Sequence, residues 1–336
     1  MQLQQQGRFD EARMAWKTIL ARDPRNVPAL ANLASVQART GRESQARKLY
    51  RRALKIEPRS PELWFNYGNL LANSGQRAEA ETAFRTALKI NDRLAPAWYN
   101  LGALLRDTDR LGEARQCFEK AVERAPTFSR AHCALGELAT DSGEAAAALE
   151  HYKTAREQNP ADPVPYAGMG HLLAENGQLE DAIQAFRGAL GLRPDSAEYL
   201  TALANLYSLT GQEQHAIASW QELASRHPDS SEAHLNLGRL AFRYQQSPED
   251  VERAISLLRQ AVRLDPGSLD AGAQLGFTLA ESGRIGEARD IAQSLVRKHP
   301  DQVLAWTLSG FVAVQQGRIN DGLEAYREAR RVDPGD

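Results

Sequence analysis

Asn32, Asn66 and Asn100 stand 34 residues apart in a chain of 336. A primary amide donates and accepts at once, so it can bracket one peptide unit of another chain. Three such amides along one groove would hold the backbone of an extended segment without reading its side chains. A fourth, Asn236, lies farther along, but Ala134, Gly168 and Ala202 interrupt the series. Beside the first three, Phe65 and Tyr99 offer apolar anchors, Arg106 a carboxylate contact, and Asn69 and Asn73 further amides. A second group joins Asn236, Arg239 and Arg243 to three rings, Phe242, Phe277 and Phe311. Exposed together, the rings would make a binding surface; packed on one another, they would be core. Both readings stand.

Covalent, metal and cofactor chemistry find no support. YAGMGHLLAENG holds Gly168 and Gly170 but lacks a preceding strand and the third glycine of a dinucleotide loop. GxxxxGK[ST], HExxH and GxSxG are missing. The seven histidines are scattered: His132 and His234 fall in an apolar register, His227 and His299 precede prolines, and no two share ligand spacing. Cys117 and Cys133 make no metal or redox spacing and read as buried or free thiols rather than a disulfide. The acid pairs Glu180–Asp181 and Glu249–Asp250 sit where helices would start, and there they suit the helix dipole. No catalytic residue, metal ligand or cofactor site is expected.

The chain is 42 % hydrophobic and 25 % charged, as soluble domains are. No apolar run nears the roughly 18 residues of a membrane span, and MQLQQQGRFDEAR lacks the basic and apolar regions of a signal peptide. Net charge is −2 but uneven: 23 Lys and Arg against 14 Asp and Glu over residues 1–130, then 5 against 15 over 131–235, then 13 against 14. Such asymmetry can steer charged partners to different segments. Arg47, Lys48, Arg51, Arg52 and Lys55 form one basic stripe, read as a solvated face rather than a phosphate track.

What must position the amides is a repeat. Pro24, Pro58, Pro126, Pro160, Pro194 and Pro228 keep a 34-residue period, with Asp92 filling one place; a step of 38 leads to Pro266, then 34 to Pro300 and Pro334. Seventeen residues before these positions stand Gly7, Gly41, Gly75, Gly143, Gly177, Gly211, Gly283 and Gly317, with Asp109 filling a gap. Proline ends helices, and glycine suits the left-handed residue just past a helix end. Between breakers, apolar residues recur at helical spacing, as in Trp98, Leu101, Leu105 and then Ala114, Phe118, Ala121. Small residues recur at the eighth place of each repeat (Ala34, Gly68, Gly102, Gly136), and large ones sixteen places later (Tyr50, Phe84, Phe118, Tyr152). Mid-helix glycine costs about 1 kcal/mol against alanine, so its recurrence predicts a close helix–helix approach.

At these residues the chain resembles the tetratricopeptide repeat family. The repeats run 27–60, 61–94, 95–128, 129–162, 163–196, 197–230, 231–268, 269–302 and 303–336, after a half repeat at 1–26, as one solenoid over 1–336. The resemblance implies an all-α, right-handed superhelix of antiparallel helix pairs, with first helices lining a concave face and positions 2, 5, 6, 9, 12 and 13 of each repeat facing the groove. The asparagine run is similar to the ladder in the repeat domains of O-GlcNAc transferases, although asparagine there is also family consensus. The chaperone-tail clamp of the family is not matched, because position 2 holds Pro28, Glu62 and Pro96.

Repeat 231–268 carries four extra residues within FRYQQSPEDVERA and lacks the inter-helix glycine. Ser247-Pro248-Glu249-Asp250 reads as an N-cap, a proline at N1 and an acidic first turn. The extra turn is expected to lengthen the first helix or the inter-helix loop, as either a tolerated insertion or a partner-contacting edge. Both chain ends lack the polar capping elements a solenoid needs; MQLQQQG starts inside a helix, and Leu323, Tyr326 and Val332 have no following helix. The ends are therefore expected to continue into a larger protein or to self-associate.

The expected function is a non-enzymatic protein–protein interaction scaffold that holds an extended peptide or helix through Asn32, Phe65, Asn66, Tyr99, Asn100 and Arg106. Partners are expected to be protein or peptide, with no nucleic acid and no membrane span, in the cytoplasm, or in the periplasm if a signal was removed. Two alternatives stay open: the substrate-recruiting region of a larger glycosyltransferase or sulfotransferase, or an assembly protein of a bacterial envelope or polysaccharide-export system.

Overall fold

The structure is a computed structural model that describes residues 8–333. The expected helix in MQLQQQG, the breaker Gly7 and the turn at Pro334 lie outside the described residues. Among the described residues there are nineteen helices and no strand. The chain divides into two compact units, Met1–Leu172 and Leu173–Asp336.

The first unit contains α1 (Phe9–Arg22), α2 (Val27–Arg39), α3 (Glu43–Ile56), α4 (Pro61–Asn73), α5 (Arg77–Ile90), α6 (Ala95–Arg106), α7 (Leu111–Arg124), α8 (Ser129–Asp141) and α9 (Ala145–Gln158). The boundary falls within α10 (Pro163–Glu175). Successive pairs, α2 with α3 through α8 with α9, pack as hairpins. First helices also touch the next first helix, α2 against α4 and α4 against α6, so they line the inner face.

The turn inside each pair follows from its breaker. After α2, Gly41 takes φ 73°, its N–H bonds Ala38 O, and the Arg42 N–H reaches back to Gln37 O at 2.8 Å. This crossed pair satisfies carbonyls that the helix end leaves open. The same bonds recur after α4 and α8, and Asp109 fills the place after α6 at φ 60°, the one non-glycine residue with positive φ among those described. Between repeats, Asn26 and Ser60 are extended and cap the next helix through their side chains.

The recurrent glycines are explained by a ring. A Cβ at Gly68 would stand 2.7 Å from Phe84 Cε1, and one at Gly102 2.7 Å from Phe118 Cε1. Tyr152 crowds Gly136 in the same way. These rings are buried, and Phe84 and Phe118 join Leu30, Leu71, Leu101 and Leu105 in one continuous core. The sixteen-residue offset between the small and large positions is thus one contact, repeated. A second recurrence involves the turn: the Trp64 indole N–H donates to Pro58 O at 2.9 Å, and that of Trp98 to Asp92 O at 2.8 Å.

The second unit contains α11 (Leu179–Leu192), α12 (Ala197–Leu209), α13 (Glu213–Arg226), α14 (Ser231–Arg243), α15 (Pro248–Leu264), α16 (Leu269–Glu281), α17 (Ile285–Lys298), α18 (Val303–Gln315) and α19 (Ile319–Val332). Its hairpins are α12 with α13 through α18 with α19, and α14 touches α16 as α16 touches α18. Of the four extra residues, three lengthen the second helix and one the loop before it, while the first helix keeps its usual 13 residues and is not the longer one that was expected. α15 has 17 residues where its counterparts have 14, and Ser247 and Asp250 form a reciprocal capping box. Without the glycine, α14 ends at Tyr244 with a weak backbone bond from Gln245 to Phe242 O at 3.5 Å. Ala292 stands where a large residue was expected; Leu295 and Leu308 fill the space against Gly272 and Gly276 instead.

Candidate functional site

On the inner face of the first unit, α4, α5 and α6 border an open pocket of about 530 Å³. Asn69, Asn73, Asn100, Arg77, Asp107 and Arg130 supply its polar groups, and Phe84 and Leu104 its apolar floor. Asn66 and Asn73 are exposed, and neither amide bonds another described residue. Asn100 differs: its Nδ2 donates to Asn69 Oδ1 at 2.7 Å, joining neighbouring repeats. Asn32 Nδ2 bonds the Pro28 carbonyl of its own helix at 2.8 Å. The three asparagines of the 34-residue series therefore present different atoms to the groove and do not form a uniform ladder.

The flanking groups are more engaged than their spacing implied. Phe65 is half-buried, its ring 6.1 Å from Phe84. Tyr99 packs between Phe118 and Phe128, at 5.6 and 5.3 Å, and the Arg130 guanidinium lies 4.7 Å over its ring. Arg106, expected as a carboxylate contact for a ligand, already holds Glu137 of α8 in an ion pair. Arg130 was not among the expected site residues. It occupies position 2 of repeat 129–162, a groove position, and that register was the signal for it.

In the second unit the inner face carries a pocket of about 490 Å³ bounded by α12, α13, α14 and α16. Asn236, Arg239, Phe242 and Arg243 line it together, as the second expected patch required. Phe277 and Phe311 are not among its lining residues; their rings meet edge to face at 5.4 Å, at the margin of the core. Gln274, which sequence reasoning missed, accepts from Arg239 Nε at 3.1 Å. It stands at position 6 of repeat 269–302, so an amide does occupy the asparagine register there.

Away from the grooves, charges pair between repeats. Arg85 and Arg110 share Glu81 and Glu113, and Arg115 holds Glu144. Hydrogen bonding to Arg110, then its charge, holds the Glu113 carboxyl below its usual range despite some desolvation. In the basic stripe on α3, Arg51 donates to the Tyr67 hydroxyl at 3.1 Å and Arg52 to the Pro24 carbonyl. Burial pushes the Cys117 thiol up to about 11 and that of Cys133 to about 12, so neither is a reactive thiolate near neutrality. No group of three or more His, Cys, Asp or Glu among the described residues could hold a metal. None of the described helices is long and apolar enough to cross a membrane.

Two histidines do meet. His132 Nε2 lies 3.0 Å from Pro126 O, in the role the tryptophan indoles play in other repeats, and its Nδ1 lies 3.3 Å from His151 Nδ1. A carbonyl only accepts, so His132 carries its proton on Nε2, and the neutral pair needs the Nδ1 proton on His151.

Family models described as tetratricopeptide repeat match residues 3–73, 41–105, 139–206 and 247–310, with others at 95–128 and 211–269. No curated protein sequence matches the chain. Solved structures with a similar fold include the C-terminal part of a TPR repeat-containing protein from Cytophaga hutchinsonii, at 15 % identity and a TM-score of 0.59 over 72 % of this chain and 98 % of that one. Pseudomonas aeruginosa pilF is similar at 22 % identity and 0.56, over 69 % and 99 %. A monomeric mutant of IFIT1 with Gppp-AAAA is similar at 16 % and 0.51, over 98 % and 79 %. At these identities the likeness is one of fold.

Proposed function

The chain belongs to the tetratricopeptide repeat family, whose repeats serve as protein–protein interaction scaffolds, and from that premise we propose that its inner face binds an extended segment of a partner protein. One observation carries the reading. Asn73 lines the open inner-face pocket of the first unit, Asn66 stands two helical turns before it on α4, and neither amide has a partner among the described residues. Each can donate to the C=O and accept from the N–H of the same residue of an extended chain, which point to one side. Asn69 and Asn100, tied to each other, fix the adjoining wall.

The charge of the pocket favours a peptide over a nucleic acid. Arg77 and Arg130 stand with the single carboxylate of Asp107, and a phosphate backbone asks for a longer run of cations. The test is selection of binding peptides from a random library on the intact chain, followed by affinity measurement with Asn66→Ala/Asn73→Ala. Selected peptides should lose about tenfold in affinity, as expected when two hydrogen bonds of about 0.5–1.5 kcal/mol each are removed. The melting temperature should hold, because neither amide supports the fold. Unchanged affinity with every selected peptide would contradict the reading.

A further inference from the structure

The inner-face pocket of the second unit, like that of the first, sets two arginines beside one carboxylate, but here the two arginines share one helix. Arg239 and Arg243 stand one helical turn apart on the exposed face of α14. Neither makes an ion pair with a described residue, whereas Arg259, Arg284 and Arg318 of the same unit each hold a carboxylate. Gln274 takes the Nε–H of Arg239 and so orients the guanidinium, leaving its two terminal amino groups free. The one carboxylate that lines the pocket, Glu213, is engaged by the Tyr244 hydroxyl. Two arginines without ion-pair partners, Arg239 oriented by Gln274 and Arg243 beside the Tyr244 hydroxyl, thus face an open pocket floored by Trp220 and Leu240.

We propose that this pocket binds an extended acidic segment of a protein partner, with two carboxylate side chains two residues apart. The inference rests on the groove-binding reading above and names the class of partner. Four residues along a helix rise about 6 Å. Alternate side chains on one face of an extended chain are about 6.7 Å apart. A Glu-x-Glu or Asp-x-Glu segment laid along α14 therefore sets one carboxylate against each guanidinium, in the planar two-oxygen geometry that arginine favours. A nucleic-acid strand fits less well. The pocket offers only two cations, short of the run that a phosphate backbone asks for.

The test uses the full chain and three labelled, N-acetylated peptides in glycine–serine flanks: amidated Glu-Leu-Glu, amidated Gln-Leu-Gln, and Gln-Leu-Gln with a free C-terminus. Fluorescence polarisation should show Glu-Leu-Glu binding about tenfold more tightly than either glutamine peptide, and more weakly as salt rises. Arg239→Gln/Arg243→Gln should abolish that preference, and Arg239→Lys/Arg243→Lys should keep part of it. Both arginines are exposed, and a thermal melt establishes that the variants are folded. Asn66→Ala/Asn73→Ala should leave the preference intact. Equal affinity for the acidic and glutamine peptides, equal binding through a free C-terminus alone, retention of the preference in the glutamine variant, or displacement by a tighter-binding single-stranded oligonucleotide would each overturn the proposal. If the proposal alone fails, library-selected peptides still bind and still depend on Asn66 and Asn73. If groove binding itself fails, they do not.

Discussion

Gly102 and Phe118 carry the packing logic of the molecule in a single contact. Alanine at position 102 gains about 1 kcal/mol of helix propensity, but its Cβ would lie 2.7 Å from the Phe118 ring, and overpacking of a close-packed core costs about 1–3 kcal/mol. Gly102→Ala should therefore destabilise the first unit by about 1 kcal/mol in urea titration. Phe118→Leu should cost less in that background than alone, a coupling that two independent sites would lack. Asp109 makes the opposite case. Its φ of 60° suits glycine, which holds the place in the other turns. Asp109→Gly should stabilise by about 0.5 kcal/mol, relief of left-handed strain outweighing the freer unfolded chain, and a loss of stability would contradict the strain argument.

Within the α8–α9 hairpin, the histidine pair makes the fold sensitive to acid. Burial, then the charges of His132 and Arg115, hold His151 below its ordinary 6.5. The unfolded chain takes up that proton first, so the contribution of the neutral pair is fully present above about pH 6.5 and is lost as pH falls through the folded-state value. The melting temperature should drop between pH 7 and pH 5, and the drop should be shallower in His151→Gln. Equal slopes would show that the pair contributes nothing. At this scale the sequence was informative about helices and turns, because proline, glycine and the ring–glycine offset act within about twenty residues. Contacts between repeats were not legible. That Arg106 would spend its charge on Glu137 and Asn100 its amide on Asn69 depends on how neighbouring helices face each other, and residue spacing alone does not encode it. The His132–His151 contact escaped notice because it mimics no ligand motif, although both residues lie in one repeat.

A solenoid is stabilised by each repeat and by its contact with the next, so damage should stay local. In hydrogen–deuterium exchange, Gly102→Ala should raise exchange most in α6 and α7, less in α4, α5 and α8, and least in α2. Uniform loss of protection across the first unit would indicate a single cooperative core instead. The same architecture explains why both grooves lie on first helices while most ion pairs between repeats knit second helices together, Arg106–Glu137 being an exception. The inner face keeps free amides and guanidinium groups, and much of the outer face compensates its own. That division is the central claim, and photo-cross-linking of a library-selected peptide to the intact chain, with the attachment sites read by mass spectrometry, tests it most directly. Attachment is predicted on the inner faces of α4 and α6, or of α14 and α16. Attachment confined to second helices that border neither pocket, such as α3 and α7, would contradict it.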